Sequence, residues 1–180
     1  NRDGLDDILV ASDKKRETWL NNGSGWNQKA EFLVPLDAIF VKTNSSNSID
    51  GGVRIGALNG DGLPDLLKAN GSYTNSWINN GTGWMNDSAW KIPNGMEFVN
   101  QTNDDNGVRV ADINGEGLVD ITMRKYGGAR QTWINSGKGW TRNDTWSAPS
   151  NADFVSRSGS NVGVRMVDLN GDGITVLVNG

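Results

Sequence analysis

Polar and apolar residues alternate with a period of two in short runs along the chain. In the run 108–112, valine and aspartate at even positions alternate with arginine and alanine at odd positions. Similar runs follow at 120–124 and 130–134 and from Trp140 onwards, all rich in β-branched and aromatic residues. This period predicts half-buried β-strands, and no window offers an amphipathic helix. We therefore expect four short antiparallel strands, with Asn- and Gly-rich hairpin turns such as 135–139.

The same landmarks recur at a nearly constant step. From Asn59 to Asn114 is 55 residues, from Asn114 to Asn170 is 56, and from Asn1 to Asn59 is 58. Gly-Val-Arg triplets at 52–54, 107–109 and 163–165 keep this step. Such a period is the signature of a repeat architecture. The units lie near 1–58, 59–113 and 114–169, with a truncated unit at 170–180.

A four-stranded unit of this length, repeated in tandem, predicts an all-β fold, a β-propeller of four-stranded antiparallel blades. About three blades are present, whereas closed propellers have about four to eight. We expect a partial ring or a segment of a larger propeller, completed by further blades from the same polypeptide or by other copies. The stretch Thr175–Gly180 aligns with Thr18–Gly23, so the last unit is expected to be truncated or internally shortened, with about a dozen residues skipped.

Oxygen-bearing side chains alternate with glycines in one loop of each unit. The loops are Ala57–Asp65, Asp112–Asp120 and the one beginning at Asp168, with a partial copy at Asn1–Asp7. Calcium takes six to eight oxygen ligands, and a tightly turning backbone can point successive oxygens at one centre. Asx-turn hydrogen bonds without a metal are the alternative. Crowded carboxylates would repel one another without a cation, which favours calcium.

Composition removes several classes of function. The chain has 180 residues, a formal net charge of −4, and neither cysteine nor histidine. Zinc sites, thiol nucleophiles and Ser-His-Asp triads are therefore excluded. An acidic chain lacks the basic footprint of a nucleic-acid partner, and no apolar run is long enough to span a membrane. No nucleophile with a partner base can be identified, so we do not expect an enzyme.

The loops and their flanking strands resemble the FG-GAP/VCBS repeats of the integrin α-chain propeller, of fungal calcium-binding propeller lectins and of bacterial surface and toxin proteins. The resemblance implies one calcium ion per loop, held by side chains at positions one, three, five and nine and by the carbonyl at position seven. The implied ligands are Asp112, Asn114, Glu116, the Leu118 carbonyl and Asp120 in the second complete loop, Asn59, Asp61, the Leu63 carbonyl and Asp65 in the first, Asp168, Asn170, Asp172 and the Ile174 carbonyl in the third, and Asn1, Asp3, the Leu5 carbonyl and Asp7 in the N-terminal copy.

Three departures from this pattern rank the loops. Ala57 occupies position one of the first complete loop, and Val176 occupies position nine of the third. Each change removes a carboxylate, which lowers the number of ligands and their charge. Glu116 is one methylene longer than the usual aspartate. We therefore expect the loop Asp112–Asp120 to bind calcium most tightly.

Two tryptophans recur in every complete unit. The first series is Trp19, Trp77 and Trp133, and the second is Trp26, Trp84 and Trp140. A series that faces solvent would form platforms for stacking on sugar rings, with avidity from several weak sites. The alternative is that these aromatic side chains pack one blade against the next.

Seven Asn-x-Ser/Thr sequons are possible N-glycosylation sites. They are at Asn22, Asn44, Asn70, Asn80, Asn86, Asn100 and Asn143. Turn formation alone explains the Asn-Gly-Ser/Thr copies. Sequons and weak calcium loops together favour an extracellular protein, secreted or on the cell surface.

Two functions fit these observations. The first is a calcium-binding extracellular propeller for adhesion or for recognition of a glycan or protein ligand. The alternative is an architectural propeller within a larger surface, toxin or polysaccharide-processing protein whose activity lies in another domain. The fold by itself does not separate them.

Overall fold

The computed structural model describes residues 1–44, 47–71 and 73–178. No helix in these ranges has the length and apolarity needed to cross a membrane. Three single-turn 3₁₀ segments occur, at Ala30–Phe32, Ser88–Trp90 and Asp144–Trp146. The strands are β1 (Ile8–Ala11), β2 (Arg16–Asn21), β3 (Trp26–Gln28), β4 (Val41–Asn44), β5 (Asn47–Asp50), β6 (Val53–Gly56), β7 (Asp65–Asn70), β8 (Tyr73–Asn79), β9 (Trp84–Asn86), β10 (Val108–Ala111), β11 (Asp120–Arg124), β12 (Arg130–Asn135), β13 (Trp140–Arg142), β14 (Arg165–Val167) and β15 (Val176–Val178).

The strands form a row of small antiparallel sheets. The first sheet is β1-β2-β3, the second is β6-β7-β8-β9, the third is β10-β11-β12-β13 and the fourth is β14-β15. A separate pair, β4-β5, lies in the connection between the first and second sheets. The prediction of an all-β fold with four-stranded antiparallel units is confirmed by the second and third sheets, whose strands follow one another as meanders.

The register of the first two strands is the same in three sheets. Gly56 pairs with Asp65 in the second sheet, and Ala111 pairs with Asp120 in the third. In the fourth sheet, Val167 pairs with Val176 at the equivalent place. Residues Val176–Val178 are therefore a second strand, not the third strand suggested by the alignment with Thr18–Gly23. The prediction that a dozen residues are skipped is wrong, because position nine of the loop begins the second strand in every case.

The hydrophobic core lies between successive sheets and not within any one of them. One cluster joins the first sheet to the second and includes Val34, Leu66 and Trp77. A larger cluster joins the second to the third, and a small one around Phe154 joins the third to the fourth. Each sheet is too thin to bury its own faces, so its neighbours cover them.

The repeated arginines fasten each sheet to the connection that leads into it. Arg54 Nη2 lies 2.8 Å from Asp50 Oδ2, and Arg109 Nη2 lies 2.8 Å from Asp105 Oδ2. The Arg54 guanidinium also lies 5.1 Å from the centroid of the Phe98 ring. The pair of Arg109 and Asp105 is half-buried, and Arg54 is half-buried while Asp50 is exposed. These contacts give the two arginines a structural role.

Candidate functional site

The aspartate at position nine fastens each complete loop to the end of the third strand of its sheet. In the third sheet, Ile113 N–H donates to Asp120 Oδ2 at 2.9 Å and Asn135 N–H donates to Asp120 Oδ1 at 2.8 Å. In the second sheet, Leu58 N–H and Asn79 N–H each donate to Asp65 at 2.8 Å. Both carboxylates are completely buried. This bridging role was missed in the sequence, where position nine was identified only as a ligand.

Burial makes these two carboxylates costly to ionise. The pKa of Asp120 is raised to about 6, chiefly by burial and also by the nearby charges of Glu116 and Asp112, against the two main-chain hydrogen bonds that lower it. Burial likewise raises the pKa of Asp65 to about 6, with Asp61 as the neighbouring negative charge. A divalent cation beside either group would offset this cost, because an opposite charge favours the ionised form.

The loop Asp112–Asp120 turns its acidic oxygens towards its own interior. Asp112 accepts hydrogen bonds from the N–H groups of Gly115 at 2.8 Å, Glu116 at 3.1 Å and Gly117 at 2.6 Å. Asn114 Oδ1 accepts a further bond from Glu116 N–H at 3.3 Å. The oxygens at positions one and three therefore face the concave side of the turn.

The other loops have the same conformation with fewer carboxylates. In the first complete loop, Asp61 Oδ1 accepts from Leu63 N–H at 2.9 Å, and Asn59 Nδ2 lies 3.2 Å from Asp61 Oδ2. In the third, Asp168 accepts from Gly171 N–H and Gly173 N–H, both at 2.8 Å. In the N-terminal copy, Asp3 accepts from Asn1 Nδ2 at 2.7 Å and from Leu5 N–H at 3.0 Å, as Asp61 does in the first complete loop. Asp7 Oδ1 accepts from Asn21 N–H at 2.9 Å, as Asp65 does from Asn79 N–H.

The oxygen donors of these loops suit a hard cation. No group of three or more acidic side chains by itself forms a metal-sized cluster in the described ranges. The loop Asp112–Asp120 instead combines carboxylates with an amide oxygen and the Leu118 carbonyl. That mixture is the ligand chemistry of calcium in proteins. The residues present therefore fit a calcium ion, most completely in this loop.

Neighbouring loops are hydrogen-bonded to one another in a row. Val119 N–H donates to the Ala57 carbonyl at 2.9 Å, and Asn135 Nδ2 donates to the Leu58 carbonyl at 2.9 Å. Thr175 Oγ1 donates to the Asp112 carbonyl in the same manner. Each of the last two loops is therefore in direct contact with the main chain of the loop before it.

The tryptophans do not form a continuous solvent-facing array. Trp77 is only 4% exposed and belongs to the core between the first and second sheets. Trp84 is half-buried, and its indole N–H donates to the Phe32 carbonyl at 3.0 Å. The idea that a whole series stacks on sugars is wrong for Trp77, because the packing of the second sheet on the first covers its ring. Trp19 is half-buried as well, with its N–H on Glu17.

A groove between the second and third sheets retains two partly accessible tryptophans. It is an open, shallow groove of about 400 Å³, lined by Trp133 and Trp140 and by residues 91–94. The indole N–H groups of both tryptophans are buried, and neither has an acceptor among the described residues. Trp140 is held edge-on against Trp90, with ring centroids 6.0 Å apart. The groove thus offers aromatic surface, and the two tryptophans that line it carry buried N–H groups that lack an acceptor among the described residues.

Local turn geometry accounts for several sequons. Asn22 Oδ1 accepts from both N–H and Oγ of Ser24, and Asn80 Oδ1 accepts from both N–H and Oγ1 of Thr82. Asn143 caps the segment Asp144–Trp146. These three asparagines are exposed, as is Asn86, whereas Asn100 is half-buried. The sequons of Asn44 and Asn70 include residues 46 and 72, which lie outside the described ranges.

Sequence comparison agrees with this geometry. Residues 58–123 match the family model described as the FG-GAP-like repeat. This segment is an FG-GAP-like repeat. It contains all of the first complete loop except Ala57, strands β7 to β10, the loop Asp112–Asp120 and most of β11. The comparison with curated protein sequences gave no match.

A solved structure shares the fold around the FG-GAP-like repeat. It is that of a lectin from Agrocybe aegerita, described for its specific recognition of non-reducing terminal N-acetylglucosamine. The TM-score is 0.58 at 17% sequence identity, over 95% of this chain and 42% of the lectin chain. The chain therefore spans less than half the length of that lectin. At this identity the similarity shows the fold.

Proposed function

We propose that this chain is a calcium-stabilised, non-enzymatic propeller module that recognises glycans outside the cell. The groove lined by Trp133 and Trp140 carries the recognition part of the proposal, since its two buried indole N–H groups have no acceptor in the described chain. A buried donor without a partner costs free energy, and a sugar hydroxyl that reaches it when the groove opens, and accepts from it, would recover that cost. Aromatic faces beside such donors suit the apolar face of a sugar ring.

Calcium has a structural role in this proposal. In the loop Asp112–Asp120, the ion would be held by Asp112, Asn114, Glu116, the Leu118 carbonyl and Asp120. It would neutralise carboxylates that burial makes costly to ionise and would stiffen the row of loops. The same role falls to Asn59, Asp61, the Leu63 carbonyl and Asp65 in the first complete loop.

Thermal melting in the presence of increasing calcium tests the metal sites. A cation that binds only the folded state must raise the melting temperature as its concentration grows. We expect Asp120→Ala to reduce this shift more than Asp65→Ala does, because the loop Asp112–Asp120 loses one of three carboxylates around a fuller ligand set. Each shift is measured from the melting temperature of the same variant in chelator, by differential scanning fluorimetry.

Glu116→Gln provides the milder comparison, since it keeps the side-chain length and one oxygen but removes a charge from an exposed position. We expect it to weaken the calcium response partially. A wild-type melting temperature that does not change with calcium would refute the metal assignment. Equal losses in Asp120→Ala and Asp65→Ala would refute the ranking of the two loops.

Glycan binding is tested at the groove. The probe is an array of glycans that includes structures ending in N-acetylglucosamine, followed by calorimetric titration of the strongest binder. Trp133→Phe and Trp140→Phe keep most of the packing surface and remove one indole N–H each. We expect each to weaken binding about 5-fold, the equivalent of one hydrogen bond of about 1 kcal/mol.

Tyr126→Phe is the matched control, because it also removes one polar hydrogen from an aromatic side chain, at an exposed position outside the groove. Its affinity should equal that of the wild type. Glycan binding that survives both tryptophan changes would place recognition elsewhere on the molecule. Absence of binding to every glycan would favour the architectural alternative, in which activity lies in another domain.

The extracellular location belongs to the same proposal. Exposed sequons at Asn22, Asn80, Asn86 and Asn143 support it. The proposed calcium loops, if they bind weakly, would suit the millimolar calcium found outside cells. Mass spectrometry of protein expressed through a secretory pathway would show whether any of these asparagines carries a glycan. Besides a glycan, a protein ligand would also fit a role in adhesion.

A further inference from the structure

Asn-Gly pairs occur in many turns of this chain, and they differ in the hydrogen bonding of the glycine N–H group. In most pairs this N–H group has an acceptor within the protein. These glycines are Gly23, Gly71, Gly81, Gly107, Gly115 and Gly171. Among residues 1–44, 47–71 and 73–178, the N–H groups of Gly60 and Gly95 have no acceptor. The pair Asn59-Gly60 therefore differs from its equivalents in the other complete loops.

The missing acceptor of Gly60 follows from a single residue of the repeat. At position one of the second and third complete loops, Asp112 and Asp168 each accept the glycine N–H of the Asn-Gly pair at 2.8 Å. Position one of the first complete loop is Ala57, whose side chain has no oxygen. Asn59 and Gly60 are both exposed, so water reaches the Gly60 N–H group.

The side-chain amide of Asn59 is oriented by Asp61. Asn59 Oδ1 accepts from Asp61 N–H at 3.1 Å, and Asn59 Nδ2 donates to Asp61 Oδ2 at 3.2 Å. The first of these bonds would stabilise negative charge on Oδ1 when a nucleophile adds to Cγ, as an oxyanion hole does. Asn114 Oδ1 likewise accepts from Glu116 N–H at 3.3 Å. The two loops therefore differ mainly in whether the glycine N–H group has an acceptor.

We propose that Asn59 is a site of spontaneous deamidation in the folded protein, through attack of the Gly60 main-chain nitrogen on Asn59 Cγ. The nitrogen gives its proton to hydroxide and forms a bond to Cγ. The bond between Cγ and Nδ2 breaks, and ammonia leaves after taking a proton from water. Water then opens the resulting succinimide ring at either carbonyl, which leaves aspartate or isoaspartate at position 59. The net reaction consumes water and releases ammonia, and it needs no other reactant.

The carboxylates at position one protect the equivalent asparagines of the other two loops. Asp112 and Asp168 each hold the glycine proton in a charge-assisted hydrogen bond. Their negative charge also disfavours the anionic nitrogen that must form before the attack. Asn114 and Asn170 should therefore react more slowly than Asn59.

The aspartate product would change the charge of the first complete loop. With Asp61 and Asp65, it would bring this loop to three carboxylates, the number that the loop Asp112–Asp120 already has. More carboxylates favour calcium. This consequence rests on the proposed calcium sites, whereas the deamidation itself does not.

Peptide mapping by mass spectrometry tests the proposal. The folded protein is incubated below its melting temperature in a mildly alkaline buffer with excess chelator, and digestion in heavy-oxygen water marks any deamidation that occurs during digestion. We expect Asn59 to react at least about 10-fold faster than Asn114, the equivalent of about 1.4 kcal/mol in the barrier. In denaturant the two should react at the same rate, because each precedes a glycine and the hydrogen bonds of the fold are absent.

Exchanging the residue at position one gives the decisive result. Ala57→Asp supplies an acceptor for the Gly60 N–H group and should slow the reaction of Asn59 about 10-fold. Asp112→Ala removes the acceptor in the second complete loop and should accelerate the reaction of Asn114 by a similar factor. Circular dichroism of each variant confirms that it is folded.

Asn94 is the internal reference for these variants. The Gly95 N–H group has no acceptor among the described residues, and neither substitution lies near it in the sequence, so the rate at Asn94 should not change. Equal rates for Asn59 and Asn114 in the folded wild type, or a difference between them that persists in denaturant, would overturn the proposal. So would an Ala57→Asp variant that reacts at Asn59 as fast as the wild type does.

Discussion

Replacing Asp120 with alanine should lower the free energy of unfolding by about 3 kcal/mol even when all divalent cations have been removed. The Asp120 carboxylate accepts the N–H groups of Ile113 and Asn135 in the interior. Each buried donor left without a partner costs about 1–3 kcal/mol. Part of this is offset, because the variant no longer buries an ionisable group. Denaturant titration in excess chelator measures the difference, which corresponds to a melting temperature lower by roughly 10 °C.

Asp112→Ala separates this bridging role from calcium binding. Asp112 also accepts three main-chain N–H groups, but these belong to exposed residues of the loop, where water can replace the carboxylate. In chelator we expect this variant to lose less than about 1 kcal/mol. In calcium it should lose most of the response of its own loop. Equal losses for Asp112→Ala and Asp120→Ala in chelator would contradict the bridging role of position nine.

The second large effect is expected at Gly107, the glycine that precedes β10. Gly107 has a φ of +70°, and a Cβ atom there would lie 2.7 Å from the main-chain oxygen of Arg124. That oxygen belongs to the adjacent strand β11. The Arg124 N–H in turn donates to the Gly107 carbonyl at 2.9 Å, so the two main chains are held close together. Gly107→Ala should therefore lower the free energy of unfolding by about 3 kcal/mol, from the left-handed conformation together with overpacking.

Gly163→Ala is the matched control for this change. Gly163 occupies the equivalent place before β14 and has a φ of +94°, but a Cβ atom there meets nothing within 4 Å among residues 1–44, 47–71 and 73–178. It should lose only the conformational part, about 1 kcal/mol. Denaturant titration of both variants under the same conditions isolates the effect of the close approach. If both variants lose the same free energy, the clash with Arg124 is not what selects glycine at position 107.

Much of the fold could be predicted because its signals are local and repeated. The period of two identified the strands around Val108 and Asp120, and the step of 55 or 56 residues placed equivalent loops in equivalent sheets. The final unit was predicted wrongly for a reason that is also local. Thr175–Gly180 resembles a third strand in composition, but the register of Val176 against Val167 makes it a second strand.

The candidate site was only partly predictable. The ligand positions followed from the alternation of oxygen side chains, and the calcium that they imply remains a prediction. The same alternation does not show that Asp65 and Asp120 hold main-chain groups from two different segments. The tryptophan series gave no sign that Trp77 would be buried while Trp26 and Trp146 stay exposed. Equivalent residues differ here only in which neighbour is present.

The sequence by itself determined most strands, the turns and the oxygen-rich loops, because these depend on residues a few positions apart, and it determined the repeat, because the same local landmarks recur at a nearly constant step. Only the tertiary structure decided which aromatic faces are covered, where two indole N–H groups lack an acceptor, and which carboxylates lie in the interior. Those properties arise from the packing of one sheet on the next. They depend on residues more than fifty positions apart, such as Trp84 and Phe32, and no local pattern records such contacts.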